Sequence, residues 1–206
     1  MEKVFIFDLD GTLLDSKNGI LFSLEVVLKK NSPEYLPFLN DSIIGPPING
    51  MLENFIKDAS LISKLAQQYR VHYDSIGFLD TKLYHGVKDG LYQLQNSLLY
   101  VSTNKPEKVA LKILKYLKIN SLFDKIICID SESFSNKVEI VDSIISGLNN
   151  TNIIVIGDSQ DDYNSAKKNN CKFVFCDWGY GEIDKDKKDF KTVYSASELF
   201  NYLSTR

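Results

Sequence analysis

The sequence lacks several features that would point to a structural, secreted or nucleic-acid-binding protein. It has only three cysteines, Cys128, Cys171 and Cys176, an odd number without CxxC spacing. They therefore support neither a disulfide framework nor a zinc site. The 24 basic and 27 acidic residues are interspersed and give a net charge of −3. Because nucleic acid and anionic membranes favour clustered positive charge, neither is the expected partner.

Long apolar runs are also missing. No run reaches the roughly 18 residues that a membrane-spanning helix needs. The first strand-like run begins at residue 4, which leaves no room for a signal peptide ahead of it and favours a cytoplasmic location. Hydrophobic residues still make up 44% of the 206 residues, enough for a true core. A globular protein that binds a small molecule is expected.

The apolar runs that are present predict an α/β fold. Strand-like runs occur at 4–7, 98–102, 125–129, 152–156 and 172–176, and helical patterns separate the last four. Strands that alternate with helices predict a parallel sheet with right-handed crossovers. The charged run DKDKKD at 184–189 is expected to be a solvated loop.

One segment breaks this alternation. Residues 17–85 contain helical windows and no convincing strand, so they predict an all-helical domain inserted after the first strand. The catalytic core then comprises residues 1–16 and 86–206.

The stretch VFIFDLDGTLLDS at 4–16 places two carboxylates at the end of an apolar strand. Buried carboxylates are costly unless something binds them. Positions i and i+2 of a strand point to the same side, so Asp8 and Asp10 are expected to face one point in space.

Other strands deliver polar side chains to the same place. Ligands of an open α/β sheet bind beyond the carboxyl ends of its strands. Hydroxyl, amide and acidic groups follow two of the other predicted strands, and a lysine begins the helix between the third and fourth: Ser102, Thr103, Asn104, Asp158, Asp161, Asp162 and Lys137.

This collection suits phosphoryl transfer. Converging carboxylates repel one another unless a cation lies among them, and Mg²⁺ prefers oxygen ligands, so Asp8 and Asp158 are the expected ligands. A carboxylate can also attack phosphorus and form an aspartyl-phosphate, the role predicted for Asp8. Asp10 would protonate the leaving oxygen and later accept a proton from water. Ser102 and Lys137, together with N–H groups of the 9–12 turn, would offset the charge on the phosphoryl oxygens.

DLDGTLLDS, STNKP, Lys137 before a helix and GDSQDD resemble, in this order, the four motifs of the haloacid dehalogenase superfamily. The resemblance covers nearly the whole chain. It implies a Rossmann-like core, an inserted helical cap of the first type and a Mg²⁺-dependent aspartyl-phosphate mechanism. Within the superfamily, FLNDSIIGPPING and FLDTKLYHGVKDGLYQL resemble the phosphoglycolate phosphatase and 5′-nucleotidase-like branch.

The resemblance also implies roles for further groups. The backbone carbonyl of Asp10 would join Asp8 and Asp158 as a metal ligand. Five residues would bind substrate or phosphate: Gly11, Thr12, Thr103, Asn104 and Lys105.

Two assignments stay open at this point. The GDxxxD spacing selects Asp162 over Asp161 as the supporting second acid of the last motif, with Asp161 as the alternative. Lys137 precedes Val138, where the family often has proline or alanine, and Lys105 is the alternative for its role.

The expected function is Mg²⁺-dependent hydrolysis of small phosphomonoesters, either phosphoglycolate or a nucleoside 5′-monophosphate, by a monomer or weak dimer. A sugar phosphomutase would use the same acid pair, although Thr12 favours hydrolysis. A phosphonatase would need a cap lysine, for which Lys57 and Lys64 are candidates. A dehalogenase would lack Asp10, and a catalytically silent binding or regulatory protein would lack at least one of the three central acids.

Overall fold

The computed structural model describes residues 3–132, 134–148, 152–184 and 189–206. Most of the charged run at 184–189, predicted as a solvated loop, lies outside these ranges. The chain forms two compact units, one of Met1–Asp15 with Leu83–Arg206 and one of Ser16–Lys82. The residues at 83–85 belong to the first unit, where the Tyr84 N–H donates to the Leu13 carbonyl at 3.2 Å.

A six-stranded parallel sheet forms the centre of the first unit. Its strands are β1 (Lys3–Phe7), β4 (Leu98–Thr103), β5 (Lys125–Cys128), β6 (Asn152–Gly157), β7 (Lys172–Cys176) and β8 (Lys191–Val193). Their order across the sheet is β5-β4-β1-β6-β7-β8. The short β2 (Leu14–Asp15) and β3 (Lys82–Leu83) form a separate two-stranded sheet. The predicted parallel α/β fold is confirmed.

Two differences from the predicted strands have simple causes. β8 was not predicted, because its sequence KTV is too short to form an apolar run. The two-residue β2 and β3 were not predicted either, and β3 lies in the segment predicted to be all helical. Strands this short are defined by their hydrogen-bonded neighbours rather than by their own residues.

The sheet register brings the carboxyl ends of its middle strands together. In β1, Phe7 pairs with Val101 of β4 on one side and with Ile156 of β6 on the other. The residues that follow these positions are Asp8, Ser102 and Gly157. Parts of the first, second and last motifs therefore lie side by side at one edge of the sheet. Val4 to Phe7 are at most 1% exposed, as expected for a strand covered on both faces.

The described helices of the first unit lie between its strands or, in the case of the last one, after them. They are α4 (Val87–Gln93), α5 (Glu107–Tyr116), α6 (Lys137–Ile145), α7 (Gln160–Lys168) and α8 (Ala196–Ser204). On α5 the buried residues Val109, Ala110, Ile113 and Leu114 have the spacing of one helix face. The side chains of Asn136, Ser159 and Ser195 accept backbone N–H groups at the starts of α6, α7 and α8, which fixes where each helix begins.

The second unit is helical. It contains α1 (Lys17–Asn31), α2 (Ile48–Glu53) and α3 (Ala59–Ser75), with 3₁₀ turns at Pro33–Phe38, Asp41–Ile43 and Gly77–Asp80. Pro46 and Pro47 directly precede α2, and Pro47 is its N-cap residue. Proline lacks the backbone N–H that a helix interior needs, so it is tolerated at the start of a helix but not within one. That this unit acts as a cap on catalysis stays a prediction. Across the described residues, no helix combines the length and apolar character needed to cross a bilayer.

Candidate active site

The first motif forms a tight turn at the end of β1. Asp8 is only 7% exposed, and its N–H donates to the Ile156 carbonyl at 2.9 Å. After Asp8, the N–H groups of Thr12 and Leu13 both donate to the Leu9 carbonyl. Gly11 has a φ of +83°, and a Cβ at this position would overlap the Asp158 carboxylate. Glycine is therefore required there both by the backbone conformation and by the approach to Asp158.

Lys137 joins the first and last motifs. Its Nζ donates to Asp8 Oδ1 at 2.5 Å and to Asp162 Oδ1 at 2.6 Å, and its side chain is 5% exposed. Burial disfavours the ammonium, but the carboxylates of Asp162 and Asp8 outweigh burial and raise the pKa of Lys137. The lysine is therefore a fixed positive charge.

The buried acids outnumber this one cation. Asp8, Asp158 and Asp162 each offer a carboxylate oxygen within 4.8 Å of the others. Burial raises the pKa of Asp8 well above its usual 3.8; Lys137 opposes this shift, while Asp162 and Asp158 add to it. Burial also raises the pKa of Asp158 to about 6, and Asp162 adds to the shift. Three carboxylates of this kind are a donor set that fits a hard divalent cation.

Asp158 is held by backbone groups. It lies directly after β6 and is 3% exposed. Its Oδ2 accepts the N–H groups of Tyr180 at 3.0 Å and Gly181 at 2.8 Å, and its Oδ1 lies 3.4 Å from the Thr12 hydroxyl. Hydrogen bonds to the charged form favour the carboxylate and oppose the effect of burial.

Asp10 has a different lysine. Lys105 Nζ lies 2.9 Å from Asp10 Oδ2, with the lysine side chain 8% and the aspartate side chain 26% exposed. The structure thus assigns a separate cation to each region of the first motif: Lys137 to the buried Asp8, and Lys105 to the more accessible Asp10. The contact with Asp8 favours Lys137 over Lys105 as the lysine that would offset the charge on the phosphoryl oxygens.

Ser102 is the most unusual polar group of the site. It lies near the end of β4, is 2% exposed, and its hydroxyl has no hydrogen-bond partner among the described residues. Buried polar groups in folded proteins are nearly always paired. The sheet register places Ser102 on the strand beside Asp8, at the edge of the sheet where ligands of such folds bind.

The remaining predicted residues make local contacts. Thr103 Oγ1 accepts the Lys105 N–H at 3.1 Å, which shapes the turn into α5. Asn104 is exposed, and its amide lies 3.5 Å from the carboxylate of the exposed Asp161. Among the described contacts, neither Asn104 nor Asp161 reaches the buried acids.

The choice between Asp161 and Asp162 has a geometric answer. Asp162 Oδ1 accepts Lys137, while its Oδ2 accepts both the N–H and the hydroxyl of Ser159 as part of a capping box. Asp162 therefore serves as the helix-cap acid and as a member of the buried cluster. The geometry favours Asp162 as the supporting acid.

Sequence reasoning missed how Asp158 is held. The two donors are backbone N–H groups of the 177–181 loop after β7, and a backbone N–H leaves no signature in the residue types. The only signal was the paired glycines in CDWGYGE, which are typical of close backbone approach.

Comparison with known proteins defines the class. The haloacid dehalogenase-like hydrolase family matches residues 5–176, and the chain belongs to this family. A haloacid dehalogenase-like family hydrolase from Streptococcus pneumoniae has the same fold, with a TM-score of 0.84, 25% identity and 98% of each chain covered. The predicted family is confirmed.

Individual relatives narrow the class further. A phosphoglycolate phosphatase from Aquifex aeolicus is 30% identical over 96% of this chain and 94% of its own. A 5′-nucleotidase from Pseudomonas aeruginosa is 25% identical, covering 93% and 90%. The tyrosine-protein kinase PtkA of Mycobacterium tuberculosis is 29% identical over 98% of this chain and 71% of its own. These relatives confirm the prediction of a phosphatase-type enzyme of this family, and PtkA adds a relative named for phosphoryl transfer to tyrosine.

Proposed function

We propose that the chain is a Mg²⁺-dependent phosphatase that hydrolyses small phosphomonoesters through an aspartyl-phosphate on Asp8. The observation that carries the proposal is the buried hydroxyl of Ser102 on the strand beside Asp8, for which the described residues supply no hydrogen-bond partner. A phosphoryl oxygen would accept this hydroxyl, and the Lys137 ammonium would offset the oxygen's charge. The site then holds a nucleophile and two groups that bind what the nucleophile attacks.

The reaction proceeds in two steps on the residues of this site. A carboxylate oxygen of Asp8 forms a bond to phosphorus, the ester bond breaks, and Asp10 gives its proton to the departing alkoxide. In the second step Asp10 takes a proton from water as that water attacks phosphorus. The phosphorus–Asp8 bond breaks, and the products are inorganic phosphate and free Asp8. Lys105, 2.9 Å from Asp10 Oδ2, favours the carboxylate form of Asp10, which is the form that accepts the proton in the second step.

Asp8, Asp158 and the backbone carbonyl of Asp10 would hold the Mg²⁺, with Asp162 supporting the cluster. When bound, the ion offsets the negative charge of the phosphoryl oxygens. The fit rests on the three buried acids, whose mutual repulsion Lys137 alone does not relieve.

The substrate class follows from the relatives. Phosphoglycolate and nucleoside 5′-monophosphates are the leading substrates, supported by the relatives named phosphoglycolate phosphatase and 5′-nucleotidase. The helical unit would act as the cap that selects between them. The cytoplasmic location and the monomeric or weakly dimeric state stay predictions.

The direct test is release of inorganic phosphate from a panel of phosphoglycolate, nucleoside monophosphates, sugar phosphates and a chromogenic ester, with Mg²⁺ and with excess EDTA. We expect turnover that requires the metal and prefers one of the two leading substrate classes. Metal-independent turnover, or none in a folded protein, would contradict the proposal.

A second candidate is phosphoryl transfer to an acceptor other than water, which the likeness to PtkA favours. A sugar phosphomutase would also transfer the phosphoryl group to an acceptor other than water, namely a sugar hydroxyl. Incubating the protein with ATP and with sugar phosphates, and following labelled phosphate, distinguishes these reactions. Label that moves to a tyrosine or to a second sugar hydroxyl, without free phosphate, would favour transfer over hydrolysis.

Ser102→Ala is expected to lower kcat/KM by about 10²- to 10³-fold, because an oriented donor to the phosphoryl oxygens is lost. The free energy of unfolding should stay unchanged or rise slightly, since the part of the chain that the structure describes offers the hydroxyl no partner to lose. Steady-state kinetics and urea denaturation measure the two effects.

Ser165→Ala is the matched control for Ser102→Ala. Ser165 is also fully buried, but its hydroxyl donates to the Asp162 carbonyl at 2.7 Å. Its loss should lower stability by about 1 kcal/mol and change turnover far less. If Ser102→Ala instead destabilises the protein and spares turnover, Ser102 has a structural role.

A further inference from the structure

The loop 177–181 after β7 contacts the candidate site through groups that the two catalytic steps do not use. The N–H groups of Tyr180 and Gly181 both donate to Asp158 Oδ2, at 3.0 and 2.8 Å. Two donors on one oxygen fix the rotation of the carboxylate. Oδ1 has only the longer contact with the Thr12 hydroxyl, at 3.4 Å, among the described hydrogen bonds.

The same loop also holds the turn of the first motif. Trp178 Nε1 donates to the Thr12 carbonyl at 3.2 Å. The edge of the Tyr84 ring packs against the indole, with centroids 6.1 Å apart and planes at 69°. Because the Thr12 hydroxyl also reaches Asp158, loop, turn and carboxylate form a closed set of contacts.

Gly179 lies between these two anchor points. A Cβ at this position would overlap the Asp158 side chain. Unlike Gly11, Gly179 does not have a φ in the left-handed region. An alanine at Gly179 therefore presses on Asp158 without adding backbone strain, and it isolates the contact between loop and carboxylate.

We propose that the loop 177–181 is a positioning element that orients Asp158 and the Thr12 turn for the divalent cation, and thereby sets the affinity of the site for Mg²⁺. The inference rests on the proposed function in taking Asp158 as a metal ligand. Residues that orient a ligand from behind typically contribute 10- to 100-fold to metal affinity. The loop touches neither Asp8 nor Lys137 in the described contacts, so its effect should fall on metal binding rather than on the nucleophile.

The test compares Gly179→Ala with Gly147→Ala in the full chain. At Gly147 no atom of the described residues lies within 4 Å of an added Cβ, so it is a matched control for the same substitution without a close contact. Calorimetric titration with Mg²⁺ alone should give a dissociation constant raised at least about tenfold in Gly179→Ala and unchanged in Gly147→Ala. The Mg²⁺ concentration for half-maximal turnover should rise in parallel, while kcat at saturating Mg²⁺ recovers most of the wild-type value.

Trp178→Phe provides a second variant if Gly179→Ala does not fold. It keeps an aromatic ring beside Tyr84 but removes the donor to the Thr12 carbonyl, and we expect a smaller, severalfold rise in the same dissociation constant. Unchanged Mg²⁺ affinity in either folded variant, or a fall in kcat that saturating Mg²⁺ does not restore, would overturn the inference. A wild-type protein that binds Mg²⁺ but hydrolyses no phosphoester would refute the proposed function while leaving this comparison intact.

Discussion

Asp8→Asn is expected to abolish phosphate release, lowering kcat by at least about 10⁴-fold. The amide has nearly the size of the carboxylate but does not attack phosphorus, so the aspartyl-phosphate cannot form. The amide oxygen of asparagine can still accept a hydrogen bond from Lys137, which keeps its ion pair with Asp162, and one of three mutually repelling carboxylates is removed. The free energy of unfolding in EDTA should therefore fall by no more than about 1–2 kcal/mol. Phosphate-release kinetics and urea denaturation test the two halves of this expectation.

Asp161→Asn is the control for the loss of an acid near the site. Asp161 is exposed, and its described contact is the long one to Asn104 at 3.5 Å. The same chemical change there should alter kcat by less than about threefold, in keeping with the small effects of exposed polar substitutions. Substantial turnover by folded Asp8→Asn would show that another group is the nucleophile, and a large loss in Asp161→Asn would reopen the assignment of Asp162.

Lys137→Met is expected to lower the free energy of unfolding by about 3–5 kcal/mol, the effect of removing one partner from a buried ion pair. Lys137 Nζ lies 2.5 Å from Asp8 and 2.6 Å from Asp162, and all three side chains are at most 9% exposed. Methionine fills a similar volume but leaves two buried carboxylates without their cation. Turnover should also fall, because the phosphoryl oxygens lose the same charge. Urea denaturation in EDTA isolates the effect on stability.

Two further variants check the cause of this instability. Lys105→Met removes a lysine whose partner, Asp10, is 26% exposed, so the expected cost is only about 1 kcal/mol. The double variant Asp8→Asn with Lys137→Met should recover part of the lost stability, since one of the two uncompensated carboxylates is gone. Equal losses in the two lysine variants, or no recovery in the double variant, would show that packing rather than charge explains the importance of Lys137.

The strands that carry the site could be predicted because their signal is local. Val4 to Phe7, and the runs that end before Ser102 and Asp158, are apolar enough to read as strands, and the polar groups that follow them stand out. The order of the four motifs then gave the family, which the comparisons confirm. By contrast, β8 has only three residues and no apolar pattern. It is a strand because it pairs with the edge of β7.

The partners within the site could not be predicted in the same way. Composition and spacing predicted that Asp8, Asp10, Ser102, Lys137 and Asp158 share one edge of the sheet. They did not predict that Lys137 pairs with the two buried acids while Lys105 pairs with Asp10. Both lysines have long, flexible side chains that would reach several carboxylates, so only the packed positions of their helices and turns decide between them.

The sequence by itself determined the fold class, the family and the chemical type of the site, because each depends on residue types and on short-range periodicity. The tertiary structure alone decided which cation faces which acid, that the Ser102 hydroxyl has no hydrogen-bond partner among the described residues, and that the loop 177–181 holds Asp158 through backbone N–H groups. The longest of these contacts, between Lys137 and Asp8, joins residues 129 positions apart along the chain. Such contacts form only once the strands have paired. Every residue except proline carries the same backbone N–H donor, so only the folded geometry decides which N–H groups bind Asp158.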